Sequence, residues 1–345
     1  MKASVNILAL AAVIYILKAG AGIFLPFAVA AFIWMLIWLL DLQFGKIIDR
    51  LGLPRFTHKI ARALSIVAIC AAAYFIAAEL AYNVRSAIDG FSKYQGNATV
   101  IAHKLSAYFN VNLDKYVDMG RMASQADVQY LLGGLLVGTT TAIRGIGMVV
   151  IYLIFMLLEE NSLRRKIPVL FKNELKDKKI HSMIEKILQR VRTYLFIKTL
   201  SSVITAGLAY AVFRAAGLDY AVLFSILVFM LNYIPTIGSI VSAMPPITMS
   251  LLQFEGALEP FLIVSLGILA IQVLLGNIIE PRITGHSVDI SPLVQIISLV
   301  LCGWMWGAVG MFLCMPMLII AVIVLESVPR TRKLAVLLGN NEDKK

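Results

Sequence analysis

The sequence predicts an all-α fold: a polytopic integral membrane protein with roughly 6–8 transmembrane helices and two broken or re-entrant helical hairpins. Three observations carry that expectation. Hydrophobic residues make up 60% of the chain and charged residues 15%, with a mean hydropathy of +0.85. Soluble domains sit nearer half apolar and a quarter charged, so the displacement points to lipid as the solvent. The apolar residues fall in successive runs, several of them near the ~20 residues that cross ~30 Å of hydrocarbon. Finally, Lys and Arg concentrate in a few segments between those runs. Residues 41–62 hold five (Lys46, Arg50, Arg55, Lys59, Arg62) and residues 159–198 hold 11 of the 31. The segment "QFEGALEP" (253–260) holds none. That asymmetry follows the positive-inside rule and explains the formal charge of +11 without a nucleic-acid partner.

The elements follow in order. Apolar runs at 3–17 and 21–40 come one after the other, which favours a retained helical hairpin over a cleaved signal peptide. A third crossing is expected at 60–82, completing an N-terminal transmembrane region over 1–82. Residues 83–131 form a polar insert whose charges nearly balance (Arg85, Lys93, Lys104, Lys115 and Arg121 against Asp89, Asp114, Asp118 and Asp127), which suits the extracytoplasmic side. A crossing at 132–158 leads to 159–198, where Leu and Ile recur at helical spacing among basic residues. That segment fits amphipathic helices at an anionic membrane face, and equally a solvated helical hairpin. Residues 199–326 form the C-terminal transport core, and 327–345 a basic cytoplasmic tail.

Parity fixes the passes within that core. With the N-terminus inside, 199–213 leads out, and the Lys-free, Arg-free 253–260 must also be outside. The stretch 220–252 therefore makes an even number of passes, and 261–276 returns inside. A basic tail inside requires 293–325 to be even as well. As one helix those residues would be ~50 Å long, and Gly303, Gly307, Gly310 and Pro316 offer places to fold it.

Two interruptions single out candidate site residues. "NYIPTIG" (232–238) places Asn232, Pro235 and Gly238 between two short apolar arms. "NIIEPRITGHSVDISP" (277–292) places Asn277, Glu280, Pro281, Arg282, Gly285, Asp289 and Pro292 between two more. A proline lacks the N–H a helix needs, and backbone groups freed at membrane depth must be satisfied by protein or by water in a cavity. Paired Asn and Pro interruptions point to a transporter's central site. On that reading Asn232, Asn277 and Arg282 meet a solute's hydroxyls, and Glu280 accepts a hydrogen bond or carries a proton. Pro235, Gly238, Pro281, Gly285 and Pro292 set the backbone breaks. The alternative is a plain cytoplasmic loop at 278–292, with Glu280 and Arg282 as a solvated ion pair. Arg144 is a further pathway candidate, or a residue that snorkels or neutralises an acid.

The sequence carries no nucleotide-cradling glycine loop, no H-E-x-x-H and no C-x-x-C. Cys70, Cys302 and Cys314 each sit in an apolar run and read as small buried hydrophobes. No enzymatic activity, cofactor or metal is therefore expected, and transport would draw on a gradient.

"NYIPTIGSIVSAMPP" (232–246), "GNIIEPRITG" (276–285), "SPLVQIISLVLCGWMWGAVGMFLCMP" (291–316) and "LPFAVAAFIWMLIWLL" (25–40) resemble the autoinducer-2 exporter family of bacterial inner-membrane proteins. The resemblance implies a multi-pass permease exporting a small, hydroxyl-rich, largely uncharged solute such as autoinducer-2, and charge parity expects both termini cytoplasmic. It also implies a homo-oligomer, a pentamer. The "GHSVDISP" string departs from the blander run such proteins carry there, which bears on the substrate. The rivals are a sodium(cation)/proton antiporter in which Glu280 or Asp289 titrates, and a non-transporting membrane scaffold built on 83–130 and 159–198.

Overall fold

The computed structural model describes residues 2–50, 57–109, 145–160, 162, 174–284, 290–328 and 331–339. Among these the secondary structure is helical throughout: α1 (Lys2–Ala19), α2 (Ala21–Arg50), α3 (Thr57–Phe109), α4 (145–160), α5 (Glu174–Ala215), α6 (Ala221–Leu231), α7 (Ile237–Gln253), α8 (Leu258–Ile271), a π-helix (Gln272–Ile279), α9 (Glu280–Thr284), α10 (Pro292–Ser327) and α11 (Arg332–Leu338). Among the described residues five stretches are long and apolar enough to cross a membrane: Ala21–Arg50, Lys59–Asn83, Ser182–Ala215, Leu258–Ile283 and Pro292–Ser327. The shorter apolar helices α6 and α7 accompany them. The expected all-α polytopic fold is observed. Two helices run beyond the expected crossings, α3 continuing past Tyr82 and α5 starting well before Thr199.

The chain divides into two compact units. The first comprises Met1–Ile69, Ile143–Lys198 and Ile283–Lys345, the second Cys70–Ala142 and Thr199–Arg282. In the first unit the long α10 is a folded hairpin. Trp306 (φ −133°, ψ 15°) and Gly307 (φ 65°, ψ −149°) leave helical geometry, and the conformation of Gly307 is one that only glycine adopts without strain. Beyond the bend Gly310 lies against the Cys302 carbonyl oxygen and Met311 against Gly303. Residues eight apart on a straight helix would be ~12 Å apart, so these contacts require a reversal. The reversal is the folding of 293–325 that an even number of passes would call for. The hairpin tip rests on α1, where the Trp306 indole N–H donates to the Leu17 carbonyl at 3.0 Å. Lys18 Nζ lies 3.3 Å from the Trp304 ring centroid.

The first unit also buries charge. Arg62 of α3 reaches Asp41 of α2 at 3.4 Å and Glu160 of α4 at 3.1 Å. Both carboxylates are more than nine-tenths buried. A guanidinium presents donors in a planar fork, which lets one arginine tie three helices together.

In the second unit α6 and α7 form a hairpin whose reversal occupies residues 232–236. Gly238, at its start, sits against the Leu231 carbonyl oxygen, where any Cβ would collide. The apolar core packs Phe213, Phe224, Val228, Val264 and Ile268 around small Ala209 and Ala243. Close approach through small side chains is how helices associate in lipid, where a hydrophobic driving force between them is lacking.

One expectation is corrected here. The backbone does not break at Asn277 or Pro281: α8, the π-helix and α9 run on as one helical rod from Leu258 to Thr284. Pro281 would clash with the carbonyl four residues earlier in an α-helix. The chain instead widens ahead of it, so that the Glu280 N–H bonds to the Leu275 carbonyl, five residues back. Pro292 does mark a boundary, standing at the first turn of α10, where its missing N–H costs nothing.

Candidate solute pathway

The second unit contains a seam of paired polar side chains amid these apolar helices. It begins on α5 with the string "TLSS" (199–202). One face of that turn carries Thr199 and Ser202, the next Ser201 and Thr205, by ordinary helical spacing. Each finds a partner. The Asn232 amide donates to Ser202 Oγ at 2.9 Å, with both residues buried. Thr199 Oγ1 and the Tyr233 hydroxyl lie 2.8 Å apart. Ser201 Oγ donates to Glu280 Oε2 at 3.1 Å, and Thr205 Oγ1 donates to the Ser201 carbonyl at 2.8 Å. Higher on the same helices, Gln272 Nε2 donates to Ser242 Oγ at 3.0 Å, again buried. Ser265 Oγ on α8 is buried with no hydrogen-bond partner among the described residues.

Local structure explains these placements. Asn232 ends α6, and its backbone N–H still bonds to the Val228 carbonyl, so its side chain is held at the hairpin reversal and aimed at α5. Gln272 is the first residue of the π-helix and Glu280 follows its last. A π-turn holds one more residue than an α-turn and re-aims the side chains beyond it, which is why such turns recur at functional sites. Polar groups in hydrocarbon are costly unless bonded, so a seam of pairs this dense is a feature that apolar packing alone would not build.

Of the residues singled out from sequence, the structure brings Asn232 and Glu280 into this seam through neighbouring serines of α5. Asn277 and Arg282 it places elsewhere, on exposed positions of the same rod. Pro235 lies in the 232–236 reversal, Gly238 supports it, and Pro281 sets the π-turn. Arg144, Gly285 and Asp289 lie outside the described residues. Sequence reasoning missed Thr199, Ser201, Ser202, Ser242 and Gln272. The available signal was Gln272, an uncharged amide inside the apolar run "LGILAIQVLLG", and the Ser-Ser pair opening a crossing.

At the far end of α5 a second polar region gathers around the 216–220 and 254–257 turns. Gln253 bridges the first turn, accepting from the Asp219 N–H at 2.7 Å and donating to the Gly217 carbonyl at 2.8 Å. The extension of α3 docks there: Tyr94 donates to Asp219 Oδ2 at 2.7 Å, Asn97 to the Leu252 carbonyl at 3.0 Å and Lys104 to the Glu255 carbonyl at 2.9 Å. Burial, followed by the hydrogen bond to Asp219, pushes the Tyr94 hydroxyl far above the ordinary phenol range.

Comparison with known proteins agrees with this architecture. The family described as AI-2E family transporter matches residues 5–330. A Haemophilus influenzae protein described as a candidate transport protein is 31% identical over 98% of this chain and 97% of its own. The AI-2 transport protein TqsA of Escherichia coli K12 is 37% identical over 61% of this chain and 60% of its own. A multi-pass helical membrane protein with a buried polar seam, matched over nearly its whole length, the chain belongs to the AI-2E transporter family.

Proposed function

We propose that this transporter exports a small, hydroxyl-rich, largely uncharged solute, autoinducer-2 in the first instance, along the polar seam of its second unit. The observation that carries this reading is the run of hydroxyl and amide pairs, with one hydroxyl–carboxylate pair at Glu280, linking α5, the α6–α7 hairpin and the rod that holds the π-helix. Each pair can exchange its internal bond for one to a solute hydroxyl at little net cost, because one hydrogen bond replaces another. Apart from Glu280 the partners are uncharged, which suits an uncharged solute, and the AI-2 transport in the name of TqsA belongs to a relative 37% identical over 61% of this chain. Opening the seam alternately to the two sides would move the solute down its own gradient or with a coupling ion. The protein is proposed to sit in the bacterial inner membrane with both termini cytoplasmic, following its basic segments, and to work as a homo-oligomer.

The test is transport of autoinducer-2 into inverted vesicles. Glu280→Gln keeps an acceptor for Ser201 and removes the charge, whereas Glu280→Ala removes both. If hydrogen bonding is the requirement, the glutamine variant retains most of the rate and the alanine variant loses at least about tenfold, the equivalent of ~1.4 kcal/mol. Equal rates in wild type and the alanine variant would remove Glu280 from the pathway.

A second reading, cation–proton exchange, is favoured by one feature: Asp41, buried with its Oδ1 unpartnered among the described residues while Oδ2 faces Arg62. Sodium-driven proton movement in vesicles that is lost in Asp41→Asn would support it. The solute-export reading expects none.

A further inference from the structure

At the end of α5 away from the seam lies a cavity of about 250 Å³, lined by Asn83, Tyr210, Arg214, Asp219, Tyr220 and the first turn of α6. It is ~18 Å along α5 from Ser202 to Arg214, so it is a separate place. Its walls are fixed by bonds that leave the chemistry free. Gln253 pins the 217–219 turn, Gly217 and Tyr220 adopt positive φ (69° and 57°), and the Tyr220 hydroxyl donates to the Ser86 carbonyl at 2.9 Å. Asn83 spends its amide protons on Glu79.

Two opposite charges face this space without meeting. Arg214 makes no ion pair among the described residues, and no salt bridge joins it to Asp219 five positions on. Among the described residues Asp219 accepts from Tyr94 on Oδ2 alone. A pairing between such accessible groups would contribute little, so both stay available to a ligand. Left apart, they offer one cavity an anion-binding and a cation-binding group together.

We propose that the cavity is a binding site for a small zwitterion, with its carboxylate or phosphate on Arg214 and its ammonium on Asp219. A guanidinium suits the planar or tetrahedral oxyanion, and the free Oδ1 suits an ammonium. Two sources supply this chemistry: a free solute the size of a short amino acid, or the head group of phosphatidylethanolamine at the membrane face. The inference does not rest on the export reading, since it concerns binding at another place.

The experiment uses the full-length protein in nanodiscs of phosphatidylglycerol alone, titrated calorimetrically with L-alanine. Lactate supplies the carboxylate without the ammonium, and isopropylamine the reverse. Melting temperature is then compared in nanodiscs with and without phosphatidylethanolamine. A free-solute site gives saturable alanine binding, with lactate and isopropylamine at least tenfold weaker. A head-group site gives a phosphatidylethanolamine-dependent rise in melting temperature and competition against alanine. In either case Arg214→Ala and Asp219→Asn each weaken the effect at least tenfold, the latter still accepting from Tyr94 and so keeping the wall. Arg214→Lys, which keeps the charge and loses the fork, falls between. The proposal is overturned if neither alanine nor phosphatidylethanolamine has an effect, if lactate binds as well as alanine, or if the folded variants behave as wild type.

Discussion

Single residues here are defined by what they bond to, and Tyr94 shows the consequence. It stands beyond the Lys59–Asn83 span, and its hydroxyl donates to Asp219. Because the phenol's pKa is raised in the folded protein, the unfolded chain releases that proton first as pH climbs. The contribution is therefore complete below the ordinary phenol value of about 10 and declines above it. Melting temperature should fall between pH 9 and 11 more steeply in wild type than in Tyr94→Phe, which lacks the ionising group; parallel curves would contradict the assignment. The same scale shows what a sequence hides. Asn232 was legible because an amide inside an apolar run demands a partner. Its partner Ser202 was not, because serine in a membrane helix is as often a small packing residue as a donor or acceptor. Asn277 and Arg282 stood out for the same reason as Asn232, yet the helix turns them outward, and no spacing rule foresaw a π-turn.

At the level of elements, the two hairpins and the continuous rod respond differently to substitution. Gly238→Ala and Gly310→Ala would each drive a methyl into a backbone carbonyl, of Leu231 and Cys302 respectively. Backbone cannot yield as a side-chain end can, so both should lower the yield of folded protein and the melting temperature sharply, by about 3 kcal/mol or more. Gly207→Ala, which meets open space, is the matched control and should be tolerated. Pro281→Ala works in the opposite direction. It removes the clash that widens the helix, so the chain can relax to α geometry and gain stability while rotating Glu280 away from Ser201. The expected outcome is an equal or higher melting temperature with reduced transport; unchanged transport would show that the π-turn does not place Glu280. The hairpins were legible because length, glycines and charge parity agreed. The rod was not, because a proline after an asparagine reads as a break or as a widened turn, and only the neighbouring hydrogen bonds decide.

For the molecule as a whole, charge distribution makes the prediction. Fluorescent-protein fusions at either terminus should fold and fluoresce, as cytoplasmic placement requires, whereas alkaline phosphatase at the same points should stay inactive. The reverse pattern would invert the pass-by-pass order drawn from the basic segments. Within that order, one feature bears on the cargo proposed above. From Leu258 to Thr284 the backbone is helical, short of the donor that Pro281 lacks, so along the proposed seam this wall shows a traveller the Gln272 amide and the Glu280 carboxylate rather than a cage of bare main-chain oxygens. A naked ion shedding its water shell gains little from such a lining. A sugar-like molecule can trade each contact for an equal one, and so be sorted by where its hydroxyls sit.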